Sequence, residues 1–317
     1  MASGTRSKNG LNTVIALVTI YIIWGSTYLA IRFSVETIPP FLMAGARFLV
    51  AGIIAFAAAL FMKSAKPTMR QWRNAAITGL FLLVGGNGLI SFAEQSAPSS
   101  LAALLISTTP IWMTLLDWAR PNGKRPTLVV SAGLLIGLIG VGILIAPDLF
   151  KNTGSVKLFE TLLIPVAAVL WAVGSVFSRQ SDMPSSPAMG TAIEMLAGGV
   201  ALLIIGTLIG EWSHFQPAQV SQSSILALVY LIIFGSLAGY TAYIWLLNNT
   251  SLALTSTYAY VNPVVAVFLG VVFDNERLTP TAITAAIVIV FAIVLITSSG
   301  HLPSRTQKSE ALAPAEN

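Results

Sequence analysis

The spacing of charges constrains this chain more than any other feature. Uncharged runs of similar length recur along it: 23 residues between Lys8 and Arg32, 20 between Arg73 and Glu94, 22 between Glu94 and Asp117, 22 between Arg125 and Asp148, and 18 between Glu160 and Arg179. A run of 62 between Glu211 and Asp274 is divided by the polar pair Asn248-Asn249, and 27 residues separate Arg277 from Arg305. A helix needs about 20 apolar residues to cross the hydrocarbon of a bilayer, so these runs have the length of membrane spans. Barrel strands are roughly half as long and alternate in polarity. Composition agrees. Charged residues are 9 % of the 317 and apolar residues 55 %, whereas a soluble domain carries roughly 25 % charged residues. With no cysteine and two histidines, disulfides and thiolate or histidine metal sites drop out.

The expected fold is an all-α membrane protein of ten transmembrane helices, arranged as two inverted five-helix repeats. The spans fall at 12–31, 41–62, 75–94, 98–116, 127–146, 158–177, 187–209, 224–246, 252–272 and 280–297. Residues 1–11 form an N-terminal tail, 12–146 the first repeat, 147–157 a linker, 158–297 the second repeat, and 298–317 a polar tail expected to be disordered. The basic start at Arg6 and Lys8 resembles a signal peptide, but the apolar run is too long and lacks a small-residue cleavage site. Twelve Lys and Arg lie on the side of the N-terminus and four on the other, with Arg47 inside a span. The positive-inside rule then puts both termini in the cytoplasm.

The repeats are visible in the residues. Ile23-Trp24-Gly25-Ser26 is echoed by Leu170-Trp171-Ala172-Val173-Gly174-Ser175, and Trp24 precedes Arg47 by the same 23 positions that separate Trp171 from Glu194. Pro110 corresponds to Pro263, and Pro126 to Pro280. Five spans per copy is an odd number, so the second copy must enter the membrane upside down. Inverted repeats are the architecture of alternating-access transporters.

The tract from Leu254 to Gly270, with Tyr258, Tyr260, Asn262 and Pro263 at its centre, is similar to the second-half signature of the EamA branch of the drug/metabolite transporter superfamily. Ile23-Trp-Gly-Ser-Thr-Tyr28 resembles the first-half signature, and Ala93-Glu94 and Ala192-Ile193-Glu194-Met195-Leu196-Ala197 resemble the YedA-like bacterial inner-membrane members. The resemblance implies an inner-membrane exporter or exchanger of small metabolites, amino acids or drug-like compounds, with no fixed substrate.

Candidate site residues follow from cost and position. A charge in mid-span costs roughly 2.5–3.5 kcal/mol on insertion scales, and such residues face a bundle interior or wet cavity. Arg47 and Glu194 are therefore expected to bracket a central cavity from its two ends, and Glu194 is a candidate proton carrier. Trp24, Tyr28 and Trp171 could present ring faces to a substrate; Trp24 and Trp171 lie well inside their spans and match across the repeat, which weakens the reading of interface anchors. Ser107 and Thr108 beside Pro110, and Tyr258 and Asn262 beside Pro263, read as a binding wall with the two prolines as hinges. Asn87, in Gly85-Gly86-Asn87-Gly88, is a further polar candidate. The alternative for each group is packing. The pairs Gly133/Gly137, Gly206/Gly210 and Gly235/Gly239 read as close helix crossings.

The partners expected are a small-molecule substrate, the lipid bilayer and, as a coupling ion, protons. No cofactor, metal or nucleic acid is expected. An intramembrane enzyme lacks its acid pair, metal trio or nucleophile-base set within the spans. A channel is the stronger alternative, although a self-contained duplication has no need of a filter on an oligomer axis.

Overall fold

The structure is a computed structural model and describes residues 3–95, 105–120, 123, 125–151, 158–273 and 279–298. Among the described residues there is helix and no strand. In chain order the main helices are α1 (Ser3–Val35), α2 (Pro40–Phe61), α3 (Met69–Ala93), α4 (Thr109–Ala119), α5 (Leu128–Lys151), α6 (Leu158–Gln180), α7 (Pro187–Leu208), α8 (Gln222–Asn249), α9 (Tyr258–Phe273) and α10 (Pro280–Ser298). Among the described residues, α1, α2, α3, α6, α7 and α8 are long and apolar enough to cross a membrane; apolar stretches of α5 and α10 are shorter. The expectation of a span at 98–116 falls partly outside the described residues, as do much of the linker and the tail beyond residue 298.

Local signals set the helix ends. Pro40 and Pro187 occupy the first turns of α2 and α7, where a missing N–H costs nothing. Thr68 and Gln71 form a reciprocal capping box at the start of α3, which satisfies two otherwise orphaned donors. Ser186 caps α7 by accepting from the Met189 amide. Gly210, at φ 82°, ends the chain segment after α7 in the left-handed region, which glycine enters without penalty. Gly210 is thus a turn residue rather than half of a packing pair.

Contacts between α2 and α7 display the inversion. A Cβ at Gly45 would lie 2.9 Å from the Leu203 nitrogen, one at Gly52 2.9 Å from the Leu196 nitrogen, and one at Gly199 2.6 Å from the Leu49 nitrogen. Numbers fall along α7 as they rise along α2, so the two helices cross antiparallel. Gly52 and Gly199 are repeat mates, as are Leu49 and Leu196, and each glycine receives the other copy's leucine. The same pattern recurs at the far end of each repeat: Gly133 of α5 meets Ile296 of α10, and Gly140 meets Ile289. The first helix of each half packs on the third and fourth helices of the other: α1 on α8 and α9, α6 on α3 and α4. Each half thus completes the other's core.

A second shared feature lies in α3 and α8. Both pass through a π-helical stretch, Leu80–Gly88 in one and Leu231–Ala238 in the other. Such stretches re-aim side chains and often mark functional positions. The fourth main helix of each copy is preceded by a break. A turn at Ser107–Thr108 precedes α4, and a turn at Ser256–Thr257 separates the short helix Leu252–Thr255 from α9. The outward faces are apolar, with Ile53, Ile54, Ile204, Leu208, Ile287 and Val290 all exposed, as a lipid-facing bundle requires.

Candidate functional site

Between the two halves lies a cavity of about 60 Å³, lined from both copies: Trp24, Thr27, Tyr28 and Ile31 of α1, Arg47 of α2, Asn87 and Ile90 of α3, Ile106 and Thr109 around the break before α4, Ala167, Ala168 and Trp171 of α6, and Tyr258 and Asn262 of α9. Small-molecule sites usually measure roughly 300–1,000 Å³. This cavity is much smaller, with room for a few waters or one small polar group.

Aromatic side chains form one wall. The Trp24 ring is edge-on to Trp171 at 5.5 Å and to Tyr258 at 4.9 Å, and Tyr243 lies 5.0 Å from Trp24 and 5.4 Å from Trp171. Hydrogen bonds hold the two indoles in place. Trp24 donates to the Gly235 carbonyl at 3.1 Å, within the π-helical stretch of α8. Trp171 donates to the Tyr243 hydroxyl at 2.8 Å, and that hydroxyl is also bonded to Ser175 Oγ. Glycines of the opposite copy make room for the indoles: a Cβ at Gly239 would stand 2.5 Å from Trp24 Nε1, and one at Gly86 would stand 2.5 Å from Trp171 Cε3.

Arg47 provides the positive charge. It is 3 % exposed. Its Nε donates to Ser236 Oγ at 2.8 Å and its Nη1 to Asn87 Oδ1 at 3.4 Å. Its Cζ lies 4.7 Å from the centre of the Phe48 ring. A Cβ at Gly235 would stand 2.9 Å from Nη2, so this glycine leaves space for the guanidinium. Among the described residues Arg47 has no acidic partner; the one ion pair there joins Arg120 to Asp117. Asn262 is buried and bonded to the Tyr28 hydroxyl, and its Oδ1 has no hydrogen-bond partner among the described residues.

Seven expected site residues, Trp24, Tyr28, Arg47, Asn87, Trp171, Tyr258 and Asn262, thus come together around one cavity. Three do not. Thr108 donates to the Leu105 carbonyl at 2.6 Å and accepts from Trp112 Nε1 at 3.2 Å, which ties it to its own helix. Ser107 is buried beside the break and does not reach the cavity; its neighbour Thr109 does. The turn at 107–108 breaks the helix just before α4, which the span-wide reading could not register. Glu194 is fully enclosed on α7, with both carboxyl oxygens unpartnered among the described residues and the Tyr240 hydroxyl nearby. Its backbone abuts Gly79 of α3, where the absent side chain permits the approach. Arg47 and Glu194 therefore do not share the cavity.

The hinge expectation divides too. Pro263 lies inside α9. Pro110 sits in the first turn of α4, after the break rather than within a continuous helix. Tyr243 and Ser236 escaped the sequence reading, although Ser236, Tyr240 and Tyr243 share one helical face at four- and three-residue spacing, a signal for inward-facing polar groups in an apolar span.

Outside the spans, Glu211 ties the copies together. Its Oε1 accepts from the Phe41 amide at 3.1 Å and its Oε2 from the Leu42 amide at 2.8 Å, which caps α2 with a side chain from the other repeat. Burial raises its pKa above the usual carboxylate value, and the two amide bonds partly oppose that. The reciprocal contact at the opposite end is weaker: Ser64, following α2, bonds Ser186 Oγ at the start of α7 at 2.9 Å.

Comparison with known proteins agrees with this geometry. The model of the EamA-like transporter family matches twice, at residues 11–146 and 158–298. The chain is 42 % identical over 291 residues to the uncharacterized inner membrane transporter YedA of Escherichia coli strain K12, covering 90 % of this chain and 91 % of that one. It is 24 % identical to a probable amino-acid metabolite efflux pump of the same organism, over 89 % of this chain and 93 % of the relative. A crystal structure at 23 % identity superposes with a TM-score of 0.73, covering 93 % of this chain and 99 % of the other, which is a likeness of fold. With both halves matched and the relative at 42 % identity covered almost end to end, the chain belongs to the EamA-like transporter family and is a membrane transporter.

Proposed function

We propose that the protein is a secondary transporter of the inner membrane that exports or exchanges small metabolites, amino acids or drug-like compounds by alternating access. In this reading ten spans cross the bilayer as two inverted repeats, 12–146 and 158–297, with both termini in the cytoplasm. The observation that carries it is the cavity itself, which is built from both copies and holds a buried cation, without an acidic partner among the described residues, opposite an aromatic wall. The antiparallel α2/α7 and α5/α10 crossings supply surfaces on which two similar halves could exchange conformations. The likeness to a probable amino-acid metabolite efflux pump supports the substrate range.

Glu194 is the proposed proton carrier. A buried carboxylate without counter-charge costs several kcal/mol, so gaining or losing a proton would favour different packings around it. The hinges are the interrupted fourth spans, with Pro263 inside α9 and Pro110 at the start of α4.

The test is counterflow by the purified protein in proteoliposomes across a metabolite panel, with and without a pH gradient. Saturable uptake accelerated by internal substrate is expected. Flux that neither saturates nor shows counterflow would mean a pore, and chemical conversion of the compound would mean an enzyme.

A further inference from the structure

Arg47 presents an unmet electrostatic demand. Guanidinium carries five N–H donors and a permanent charge. Ser236 and Asn87 supply two neutral oxygens, the second at a long 3.4 Å. No carboxylate among the described residues lies within ion-pair distance. The same cavity is bordered by the Asn262 amide, 1 % exposed, which is bonded to the Tyr28 hydroxyl while its Oδ1 has no partner among the described residues. An amide turned about its terminal bond offers N–H in place of oxygen, because the two ends are nearly isosteric. Both groups border a space sized for one small polar group.

We propose that this cavity is the head-group subsite for a carboxylate, and that the transported compounds are small monocarboxylates whose apolar or aromatic body lies along Trp24, Trp171 and Tyr258. This rests on the transporter reading above and names its substrate class. The planar fork of arginine matches two carboxylate oxygens. Arg47 offers one positive charge for one carboxylate, and the buried Glu94 carboxyl near Tyr28 disfavours any further negative charge, so a phosphate dianion would leave its second charge unmatched. The present volume holds the head group alone, so the body enters as the halves part.

The experiment uses the full chain in proteoliposomes. The probes are aliphatic and aromatic monocarboxylates, each with its amide and amine analogue, and inorganic phosphate. Counterflow is expected for one or more acids and not for the matching amide or amine. Arg47→Gln should lower the acid's flux by roughly tenfold to a hundredfold, the weight of charge-assisted hydrogen bonds, and Arg47→Lys should retain part of it. Asn262→Ala should raise the half-saturating concentration of the acid in a chain that keeps Arg47. Unliganded melting temperatures show whether the variants fold; if Arg47→Gln does not, Arg47→Lys and Asn262→Ala decide. Equal flux of acid and amide, preference for amines or phosphate, or undiminished acid flux in the variants would overturn the carboxylate assignment and leave a carrier standing. Flux without saturation or counterflow for every probe would overturn the carrier reading itself.

Discussion

Arg47 and Glu194 hold the same place in the two repeats and meet opposite surroundings. Arg47 borders the cavity, with Ser236 and Asn87 to receive its hydrogens. Glu194 is sealed, its backbone pressed against Gly79 and its carboxyl beside the Tyr240 hydroxyl, with no counter-charge among the described residues. The third helices explain the contrast. On the Arg47 side the π-helical stretch of α8 presents Gly235 and Ser236, which leave room and accept a bond. On the Glu194 side α3 comes close enough to close the space. A duplicated scaffold thus stands in an asymmetric state, with the cavity beside one mate and not at the other. A carrier working as proposed above would exchange the two environments in its opposite conformation.

Mutations can break this comparison. The largest effect is expected where the copies touch. Gly199→Leu places a side chain where a Cβ alone would stand 2.6 Å from the Leu49 nitrogen, whereas Gly142 has nothing within 4 Å. Overpacking costs typically ~1–3 kcal/mol and more against backbone, so Gly199→Leu should lower the melting temperature of the detergent-purified protein by many degrees. Gly142→Leu should leave it almost unchanged. Equal losses would mean that the α2/α7 crossing is not the axis of the fold.

The charged mates themselves come next. Glu194→Gln should leave counterflow in place and flatten its dependence on a pH gradient, while the gradient dependence of the parent protein is retained in Glu211→Gln. Transport that responds to pH identically in the parent and Glu194→Gln would remove Glu194 from coupling. The indoles should show a smaller contrast. Trp171→Phe leaves Tyr243 bonded to Ser175, whereas Trp24→Phe deprives the Gly235 carbonyl of its donor. A lost buried hydrogen bond costs about 1–3 kcal/mol, so thermal unfolding should rank Trp24→Phe as the more damaging change.

The smallest effect belongs to Glu211. Its pKa is raised in the folded chain, chiefly by burial, so the folded state binds its proton more tightly than the unfolded state. That contribution to stability is complete below the ordinary carboxylate range and is lost as pH rises through the raised value. The melting temperature of the parent protein should therefore fall with rising pH relative to Glu211→Gln. A relative rise would show that the Phe41 and Leu42 amides outweigh burial.

How much of this was legible in the residues depended on distance along the chain. The charge-free runs marked the helices because bilayer thickness sets their length, and the matched Trp24/Trp171 and Arg47/Glu194 spacings exposed the duplication. The cavity wall was partly readable, because arginine and asparagine are costly in apolar spans and Trp24 and Trp171 match across the repeat, although packing explained the rings as well. Phase was not. The choice of Thr109 over Ser107 and Thr108 is made by a two-residue turn, and the π-helical stretches that bring Ser236 to Arg47 arise from tertiary packing. Nor could the repeat show which of two equivalent charges borders the cavity, since the helices packed around each decide that.

Exchange of the open side can be measured directly, because the chain has no cysteine and an introduced one is unique. Thr27 lines the cavity. In vesicles of defined orientation, Thr27→Cys should react with a membrane-impermeant thiol reagent supplied from either side, and a transported compound should shift reactivity from one side to the other. Reaction confined to one side while transport continues, or equal and simultaneous reaction from both, would contradict alternating access through this cavity.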